Sequence, residues 1–487
     1  MEKLADYVIQ AADINNWDKV TDVAILGFGI AGACAALEAA QAGAEVHIFE
    51  ASGGSGGASA LSGGEIYAGG SGGTKIQREN GFNDLTEDFA IYLSMAGGSD
   101  PDQAKIDLYA NQAVAHLEWL QAQGVPYKGS YLPGKIIEPE TDDTLIWSGS
   151  EEAWPFSARA KPAPRGHTIQ FVGWGGGRKL IDILEARALG MGVQVQSNAR
   201  ARALVVEDGV VIGVMLRHNG KDMAIRARRG VVLATGGFCM NRDMVQHYAP
   251  EALRCSTPLG TIDDGSGILM GLAAGGHVLH MDEFFVTCPW YPPESLVKGI
   301  FINQAGDRFI NEDCYHGRVI RSAVEQPGDR VFLLCDNEIF ARPMDLAGVE
   351  LAAVGESWEE VEAELGLPPA TLTATMTAYN IHAAKGDDPV WHKAARWLKP
   401  LTTPPFAALA LIPAQSFFSY FTLGGLQTLP GGEVLNQAGL PIPGLYAAGR
   451  VACGLPRWGK GYASGLSLAD SSFFGRMAGQ HAAQRAG

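Results

Sequence analysis

Two unbroken apolar runs near the start of the chain, Val23-Ala24-Ile25-Leu26 and Val46 to Phe49, have the pattern of strands buried on both faces of a parallel sheet. The alanine-rich stretch between them reads as helix. Residues 101–124 predict a second helix, with Ile106, Ala110, Ala113, Leu117 and Leu120 on one face. Leu180 to Leu189 predicts a third helix and Val193 to Gln196 a short strand. Residues 203–234 alternate as a meander that turns at Glu207-Asp208-Gly209 and at Asn219-Gly220, the latter a strong hairpin signal. The meander delivers Val231-Val232-Leu233 into Ala234-Thr235-Gly236-Gly237. Near residue 277 the pattern loosens into aromatic, irregular sequence. Ser357-Trp358-Glu359-Glu360 is a capping box that opens a short helix, and Pro368-Pro369 opens another that ends near Gly386. From Gly432 strand–turn–helix order returns, through Gly444-Leu445-Tyr446-Ala447-Ala448-Gly449 to a helix from about Gly465. The simplest division is a nucleotide-binding domain of residues 1–276 and 433–487, interrupted by a second domain of residues 277–432.

The turn after the first predicted strand is Gly27-Phe28-Gly29-Ile30-Ala31-Gly32, and the second strand ends at Glu50, 18 residues past the last of these glycines. In this spacing Gly27 permits the tight turn, Gly29 lets a pyrophosphate approach the backbone, and Gly32 lets helix and strand pack closely. The helix N-terminus attracts phosphate and Glu50 can bind a ribose hydroxyl, so a dinucleotide is predicted. A second glycine-rich loop follows, Gly53-Gly54-Ser55-Gly56-Gly57-Ala58-Ser59-Ala60-Leu61-Ser62-Gly63-Gly64, and runs on through residues 68–74. Flexible linkers have this composition. A linker seldom begins at a ribose-binding acid, however, and Leu61, Ile66 and Tyr67 interrupt this one. Its backbone N–H groups can wrap a cofactor longer than NAD, which favours FAD.

Composition narrows the partners. At 487 residues the chain can hold two or three domains, each with its own core. A net charge of −16 argues against nucleic acid and anionic membrane surfaces as partners. Seven widely spread cysteines without a CxxC pair argue against a disulfide framework or a zinc site, and for a reducing compartment. His277, His280 and Asp282 invite a metal, but alternation in an extended stretch puts His277 opposite the other two, so no metal is expected. The opening Met1-Glu2-Lys3-Leu4-Ala5-Asp6 lacks a signal-peptide pattern, and no apolar run reaches spanning length without interruption. A soluble, cytoplasmic protein is expected.

Taken in order, the fingerprint, the Ser59 to Gly64 loop, Ala234-Thr235-Gly236-Gly237 and Asp264-Gly265-Ser266-Gly267 begin a series of motifs. The series continues with Gly306-Asp307-Arg308-Phe309-Ile310-Asn311-Glu312, Tyr379-Asn380, Asp388-Pro389, Leu423-Gly424-Gly425, Gly444 to Gly449 and Gly465 to Asp470. Over nearly its whole length the chain resembles the flavoproteins that include fumarate reductase, the succinate dehydrogenase flavoprotein and the 3-ketosteroid dehydrogenases. The resemblance implies an α/β fold: a Rossmann-like FAD-binding domain with an inserted α+β catalytic (cap) domain. It places FAD on Gly27, Gly29, Ile30, Ala31, Gly32, Glu50, Gly57, Ala58, Ser59, Ser62, Gly63, Gly64, Ala234, Thr235, Gly236, Asp264, Gly449, Arg450, Gly465, Ser467 and Leu468. Some members attach FAD to a histidine of the second loop. Residues 51–74 contain none, so non-covalent FAD is expected.

Departures from the family pattern bear on the substrate. Dicarboxylate-handling members clamp carboxylates with arginines and a histidine. Here the histidine position is Phe421, the arginine position before Asp470 is Tyr462, and the catalytic-arginine motif runs into Asp313-Cys314-Tyr315-His316. Of these, His316 alone keeps a group able to titrate near neutral pH. This pattern suits an apolar ketone and is similar to the 3-ketosteroid dehydrogenases, with Gly461-Tyr462-Ala463-Ser464-Gly465 resembling the Δ4-(5α) branch, which inserts a C4–C5 double bond. The resemblance makes Tyr462 the oxyanion donor, Ser464 the group that reaches the α-proton and Tyr315 its relay towards solvent, with Phe417, Phe418, Tyr420 and Phe421 as pocket walls. Plainer roles stand beside these: Tyr462 as packing, Ser464 as an N-cap of the last helix, Tyr315 as a core tyrosine. A separate electron acceptor is expected, since no second nucleotide fold is apparent. The rival functions are a Δ1-dehydrogenase, an enoate reductase on another apolar substrate, and a flavin-binding subunit without activity.

Overall fold

The carboxyl ends of five parallel strands converge on one edge of a large sheet, and the glycine-rich turns follow directly from that edge. The structure, a computed structural model, describes residues 4–486. Met1, Glu2 and Lys3, which open the stretch without a signal-peptide pattern, and Gly487 lie outside the described residues. Gln194–Gln196, Val46–Phe49, Lys19–Leu26, Lys221–Leu233 and Pro441–Ala447 lie side by side in that order. Gln196, Phe49, Leu26, Leu233 and Ala447 are lateral neighbours in the register. The residues that follow these strands, Gly27, Glu50, Ala234 and Ala448, therefore open onto one crevice, where open parallel sheets bind their ligands.

The predicted meander is present as Ala199–Glu207, Val210–His218 and Lys221–Leu233. Its last strand pairs antiparallel within the meander over its first half and joins the parallel strands over its second. The fingerprint helix Ile30–Gln41 packs on the terminal helix Leu466–Gln484, and small residues bring the two backbones close. A Cβ on Gly475 or Gly479 would stand 2.5 or 2.1 Å from the carbonyl oxygens of Ala31 and Ala35. The helix expected over 101–124 spans Gln103–Ala122, with the Asp102 carboxylate accepting from the Lys105 N–H at 3.1 Å. Among the described residues no helix is long and apolar enough to cross a membrane.

The fold adds to the sequence expectations at one place and departs from them at another. Lys75–Glu79 and Thr86–Ala96 are helices between the second glycine-rich loop and the helix expected over 101–124. The first opens on a Thr74–Gln77 capping box placed directly after the glycine-rich run, where composition masks it. The stretch after residue 277 is more regular than its composition suggests. Ile300–Ile302, Val331–Cys335, Phe406–Leu411 and Glu350–Gly355 form an antiparallel sheet in that order. Phe284–Thr287 pairs antiparallel with Ser419–Thr422, which pairs parallel with Thr257–Pro258. Strands of two to six residues are too short to establish a period, and Pro292-Pro293 interrupts the pattern. In the Ser357 box the cap accepts from the Glu360 N–H at 3.3 Å, but the Glu360 carboxylate turns to the Glu356 N–H, one residue further out.

The Gly306–Glu312 motif has a structural purpose. Glu312 is fully buried and receives a fork from Arg308 at 2.9 and 2.7 Å, the Lys393 ammonium at 3.1 Å and the Phe301 N–H at 3.0 Å. Arg308 also reaches Asp388 at 2.8 Å and lies over the Tyr379 ring. Burial alone would raise the Glu312 carboxyl, but Arg308 and Lys393 hold it below its ordinary range. Removing one member of such a cluster leaves uncompensated buried charge, which costs about 3–5 kcal/mol. Glu312→Ala is therefore expected to lower stability by that amount in urea titrations; a midpoint equal to wild type would show that the cluster does not hold this region together.

Candidate active site

At the carboxyl edge of the parallel strands lies a cleft of about 820 Å³, part of it open to solvent. It is bordered by Gly27, Gly29, Ile30 and Ala31 of the fingerprint, Glu50, Gly57, Ala58 and Ser59 of the second loop, Ala234, Thr235 and Gly236 after the meander, Asp264, and Gly449 and Arg450. Gly27 adopts φ +104°, and a Cβ there would stand 2.4 Å from the Ala234 carbonyl oxygen. Gly32 does not border the cavity. Its hydrogen faces the Gly27 carbonyl, which a Cβ would approach to 2.0 Å, so it serves the close packing of helix on turn. At the helix N-terminus the Ile30 N–H is held by Ser59 Oγ at 3.2 Å. Glu50 accepts from the Phe28 and Ser52 N–H groups, each at 2.7 Å, which fixes its carboxylate at the rim. The Thr235 hydroxyl is buried without a protein partner. A cavity at this strand edge, with a helix N-terminus, a fixed acid and an orphaned hydroxyl on its border, fits an FAD.

The acid pair at 263 and 264 divides its work in a way the motif does not reveal. Asp264 borders the cavity, but its carboxylate pairs with Arg200 and accepts the Ser266 N–H. Asp263, which stands one residue before the motif, is buried and binds Arg450 at 2.6 Å while accepting the Thr261 N–H at 3.0 Å. Ser266 of the same motif also borders the cavity, as do Ala199, Arg200, Ala201, Thr261 and Ser471, which lie in no glycine-rich motif. Ser62, Gly63, Gly64, Gly465, Ser467 and Leu468 do not border it. Ser62 bonds Ser59 and Gly64 within its own loop, while Ser467 acts on the Tyr462 hydroxyl.

Beside the cavity a small separate apolar cluster joins Phe285, Tyr315, Leu423 and Tyr462, with Phe421 packed against it. Phe285 lies 4.2 Å from Tyr462 and 4.9 Å from Phe421, ring centre to ring centre. The Arg450 guanidinium lies 4.8 Å over Phe421, so one cation borders both the cavity and the cluster. The Tyr315 and Ser464 hydroxyls are hydrogen-bonded at 2.8 Å. The serine comes from the loop before the terminal helix, where Gly465, at φ +85°, takes the N-cap position without a side-chain bond. Ser464 is therefore not the N-cap. Its backbone is held by Ser148, at 2.8 Å through the N–H and 3.1 Å through the carbonyl. Gly459 and Gly461 seat the same loop, since a Cβ would stand 2.2 Å from Phe284 O and 1.9 Å from Ala96 O. Burial raises both tyrosine hydroxyls above the ordinary phenol range, helped at Tyr315 by Tyr462 and then Glu65 and at Tyr462 by Glu65, so both are neutral donors at physiological pH.

Two expectations are corrected here. Of the four aromatic walls, the structure brings only Phe421 to the tyrosines. Alternation along Ser419–Thr422 sends Tyr420 to the opposite face, against Phe284, and Phe418 is wholly buried in the main core. Phe417 lies in the turn before that strand, with its N–H on Ala347 O. The residue missed is Phe285, the cross-strand partner of Phe421, whose signal was two short alternating runs. His316 is the second correction. Burial, then the charge of Lys135, pushes its imidazole down to about 3, and its Nδ1 bonds Thr287 Oγ1 at 2.9 Å. It is a neutral core residue.

A model of the FAD binding domain family matches residues 22–464. The structure is similar to the crystal structure of 3-ketosteroid-delta4-(5alpha)-dehydrogenase from Rhodococcus jostii RHA1 in complex with 4-androstene-3,17-dione, with a TM-score of 0.92 and 40% identity over 98% of this chain and 100% of that one. A flavocytochrome c3 fumarate reductase in its open conformation matches with a TM-score of 0.68 and 27% identity, over 97% of this chain and 79% of that one. The 3-oxo-5-alpha-steroid 4-dehydrogenase of Comamonas testosteroni is 27% identical over 91% of this chain and 94% of its own length.

Two outcomes follow from the geometry. Gly32→Ala is expected to purify without flavin absorbance, because its Cβ would sit 2.0 Å from the Gly27 carbonyl and push helix from turn; wild-type flavin content would refute this account of the fingerprint. Between about pH 6.5 and 3 the unfolded chain binds a proton at His316 that the folded chain does not, so stability falls as pH drops through that window. His316→Asn should flatten the acid limb of a plot of urea midpoint against pH, and an unchanged limb would show that His316 is not buried neutral.

Proposed function

The chain belongs to the FAD binding domain family, and on that premise we propose that it desaturates the A ring of 3-ketosteroids between C4 and C5. FAD is the cofactor, held without a covalent link, and residues 1–276 with 433–487 carry it while 277–432 cap the substrate. The observation that carries the reading is the 2.8 Å bond between Tyr315 Oη and Ser464 Oγ beside the neutral Tyr462. Desaturation beside a ketone needs a donor for the developing enolate oxygen and a path for the α-proton. Tyr462 is the donor: its uncharged phenol sits in an apolar wall of Phe285, Leu423 and Phe421, where one hydrogen bond is strong. Ser464 takes the C4 proton and passes its own to Tyr315, since a serine hydroxyl alone is a weak base. Bound FAD supplies the acceptor for the hydride that leaves C5.

The substrate class follows from charge. Arg450, the cation beside the cluster, is committed to Asp263 at 2.6 Å, so the pocket offers neutral donors and apolar rings to a substrate. A dicarboxylate would be desolvated there with little return, whereas a steroid gains from the same surface. The R. jostii structure in complex with 4-androstene-3,17-dione supports this choice. We place the protein in the cytoplasm, in keeping with seven buried free cysteines, and assign reoxidation to a separate acceptor.

Holoenzyme mixed with a 5α-3-ketosteroid should bleach its flavin and release the 4-ene product. A 1-ene product would reassign the regiochemistry, and no bleaching with any 3-ketosteroid would overturn the reading. Tyr462→Phe is expected to keep FAD and lose about 10²–10³-fold in kcat, the cost of removing one oxyanion donor. Turnover near wild type would remove Tyr462 from that role.

A further inference from the structure

Glu65, the acid that follows the second glycine-rich loop, is buried with its Oε1 unpartnered. It opens the strand Glu65–Tyr67, opposite Thr168, whose hydroxyl also lacks a partner. Among the described residues no cation pairs with it, and Arg165, just before the paired strand, is forked on Asp84 at 2.9 and 2.8 Å. The charged groups that act on it are two further acids, Glu138 and Glu151. The phenols of Tyr315 and Tyr462 are near enough to feel its charge. What meets the carboxyl is the Ser148 hydroxyl. Both groups crowd the bare Cα of Gly166, where a Cβ would stand 2.3 Å from Glu65 Oε1 and 2.6 Å from Ser148 Oγ. Ser148 is in turn the clamp on Ser464: its carbonyl accepts the Ser464 N–H at 2.8 Å, and its hydroxyl donates to the Ser464 carbonyl at 3.1 Å.

A serine hydroxyl has one proton to donate and two lone pairs that accept. The Ser148 proton is spent on the Ser464 carbonyl, so towards Glu65 the Ser148 oxygen can only accept. An ionised carboxylate has nothing to donate to it, and a buried charge set among other acids would be uncompensated. We propose that Glu65 stands protonated beside the active-site loop and is a positioning residue, its O–H holding the Ser148 hydroxyl that clamps Ser464. The inference rests on the desaturase reading, because it assigns Glu65 to the seat of the base in that reaction. Burial raises the carboxyl well above the usual range, against a pull from Ser148 and with help from Glu138 and Glu151. The strand that carries Glu65 is docked on the same loop. The Tyr67 N–H donates to the Gly465 carbonyl at 3.2 Å, and a Cβ on Gly465 would stand 3.1 Å from Glu65 Cγ. Glu65 thus bears on Ser464 both through Ser148 and through the turn that follows the serine. Neutrality has a second consequence. A negative charge at Glu65 would oppose the one that develops at the Tyr462 hydroxyl during enolisation, and a protonated acid avoids that repulsion. Glu65 acts through Ser148 and touches no reacting atom.

The test compares FAD-loaded wild type with Glu65→Gln and Glu65→Leu. Glutamine keeps a neutral donor of the same shape, whereas leucine keeps volume without a donor. In infrared spectra at neutral pH, wild type minus Glu65→Gln should show the C=O band of a protonated carboxyl, and a carboxylate band in its place would overturn the proposal. With a 5α-3-ketosteroid, Glu65→Leu is expected to lose about tenfold in kcat at unchanged KM, the cost of one hydrogen bond. Glu65→Gln should restore kcat to within about twofold of wild type, because its amide again donates to Ser148. If glutamine loses as much as leucine, or leucine matches wild type, the positioning role is overturned while the desaturase reading stands. If wild type bleaches with no 3-ketosteroid, that reading falls and the positioning role with it, while the infrared band still decides the protonation of Glu65. Should Glu65→Leu fail to fold, Ser148→Ala takes its place: it removes the hydroxyl between Glu65 and Ser464, the same loss in kcat is expected, and wild-type turnover would overturn the role.

Discussion

The buried charge cluster around Glu312 is the constraint on which the site's geometry rests. One carboxylate gathers Arg308, Lys393 and the Phe301 N–H, and through Arg308 it reaches Asp388 and Tyr379. These partners come from a strand, a loop and a helix far apart in the chain, so a single unsatisfied member would be felt by all of them. Tyr315 lies three residues beyond Glu312, at the entrance of the helix His316–Val324. The cluster thus fixes the approach of the phenol that meets Ser464, and the motif most visible in the sequence serves position rather than chemistry.

Uncharged donors govern the other side of the site. Arg318 stacks over Phe156 and Trp458 and bonds the Lys460 carbonyl, Arg321 is shared between Glu251 and Glu325, and Arg450 belongs to Asp263. The guanidinium groups near the pocket are committed to protein partners. What the cluster beside the cavity gathers is phenol, hydroxyl and hydrocarbon, a surface that would lose little hydration under an apolar molecule. A neutral phenol also avoids holding a permanent charge in a low-dielectric wall, and it still donates when negative charge develops opposite it.

Much of the nucleotide-binding half was legible, because its signals are local. Gly27 and Gly32 are glycines for steric reasons that one residue of context suggests, and the apolar runs at 23–26 and 46–49 are the strands they imply. The meander, with its Asn219-Gly220 turn, was equally plain. What could not be read was decided across long sequence separations. Two adjacent acids, Asp263 and Asp264, look alike until Arg450 arrives from 187 residues away to bind one of them. Phe418, Tyr420 and Phe421 form one aromatic run, and only pairing with Phe284–Thr287 determines which ring meets the tyrosines. His316 looked titratable because burial is a property of the fold. Ser464 and Tyr315, 149 residues apart, were named through resemblance, and their contact became visible only in three dimensions.

That contact is also a joint between two independently seated segments. Ser464 rides on the loop leading into the terminal helix, which packs on the fingerprint helix, while Tyr315 rides on the segment anchored by Glu312. The 2.8 Å bond therefore reports on both seats at once. A substitution that loosens either the glycine contacts of the loop or the charge cluster at Glu312 would disturb it without touching a residue of the aromatic cluster.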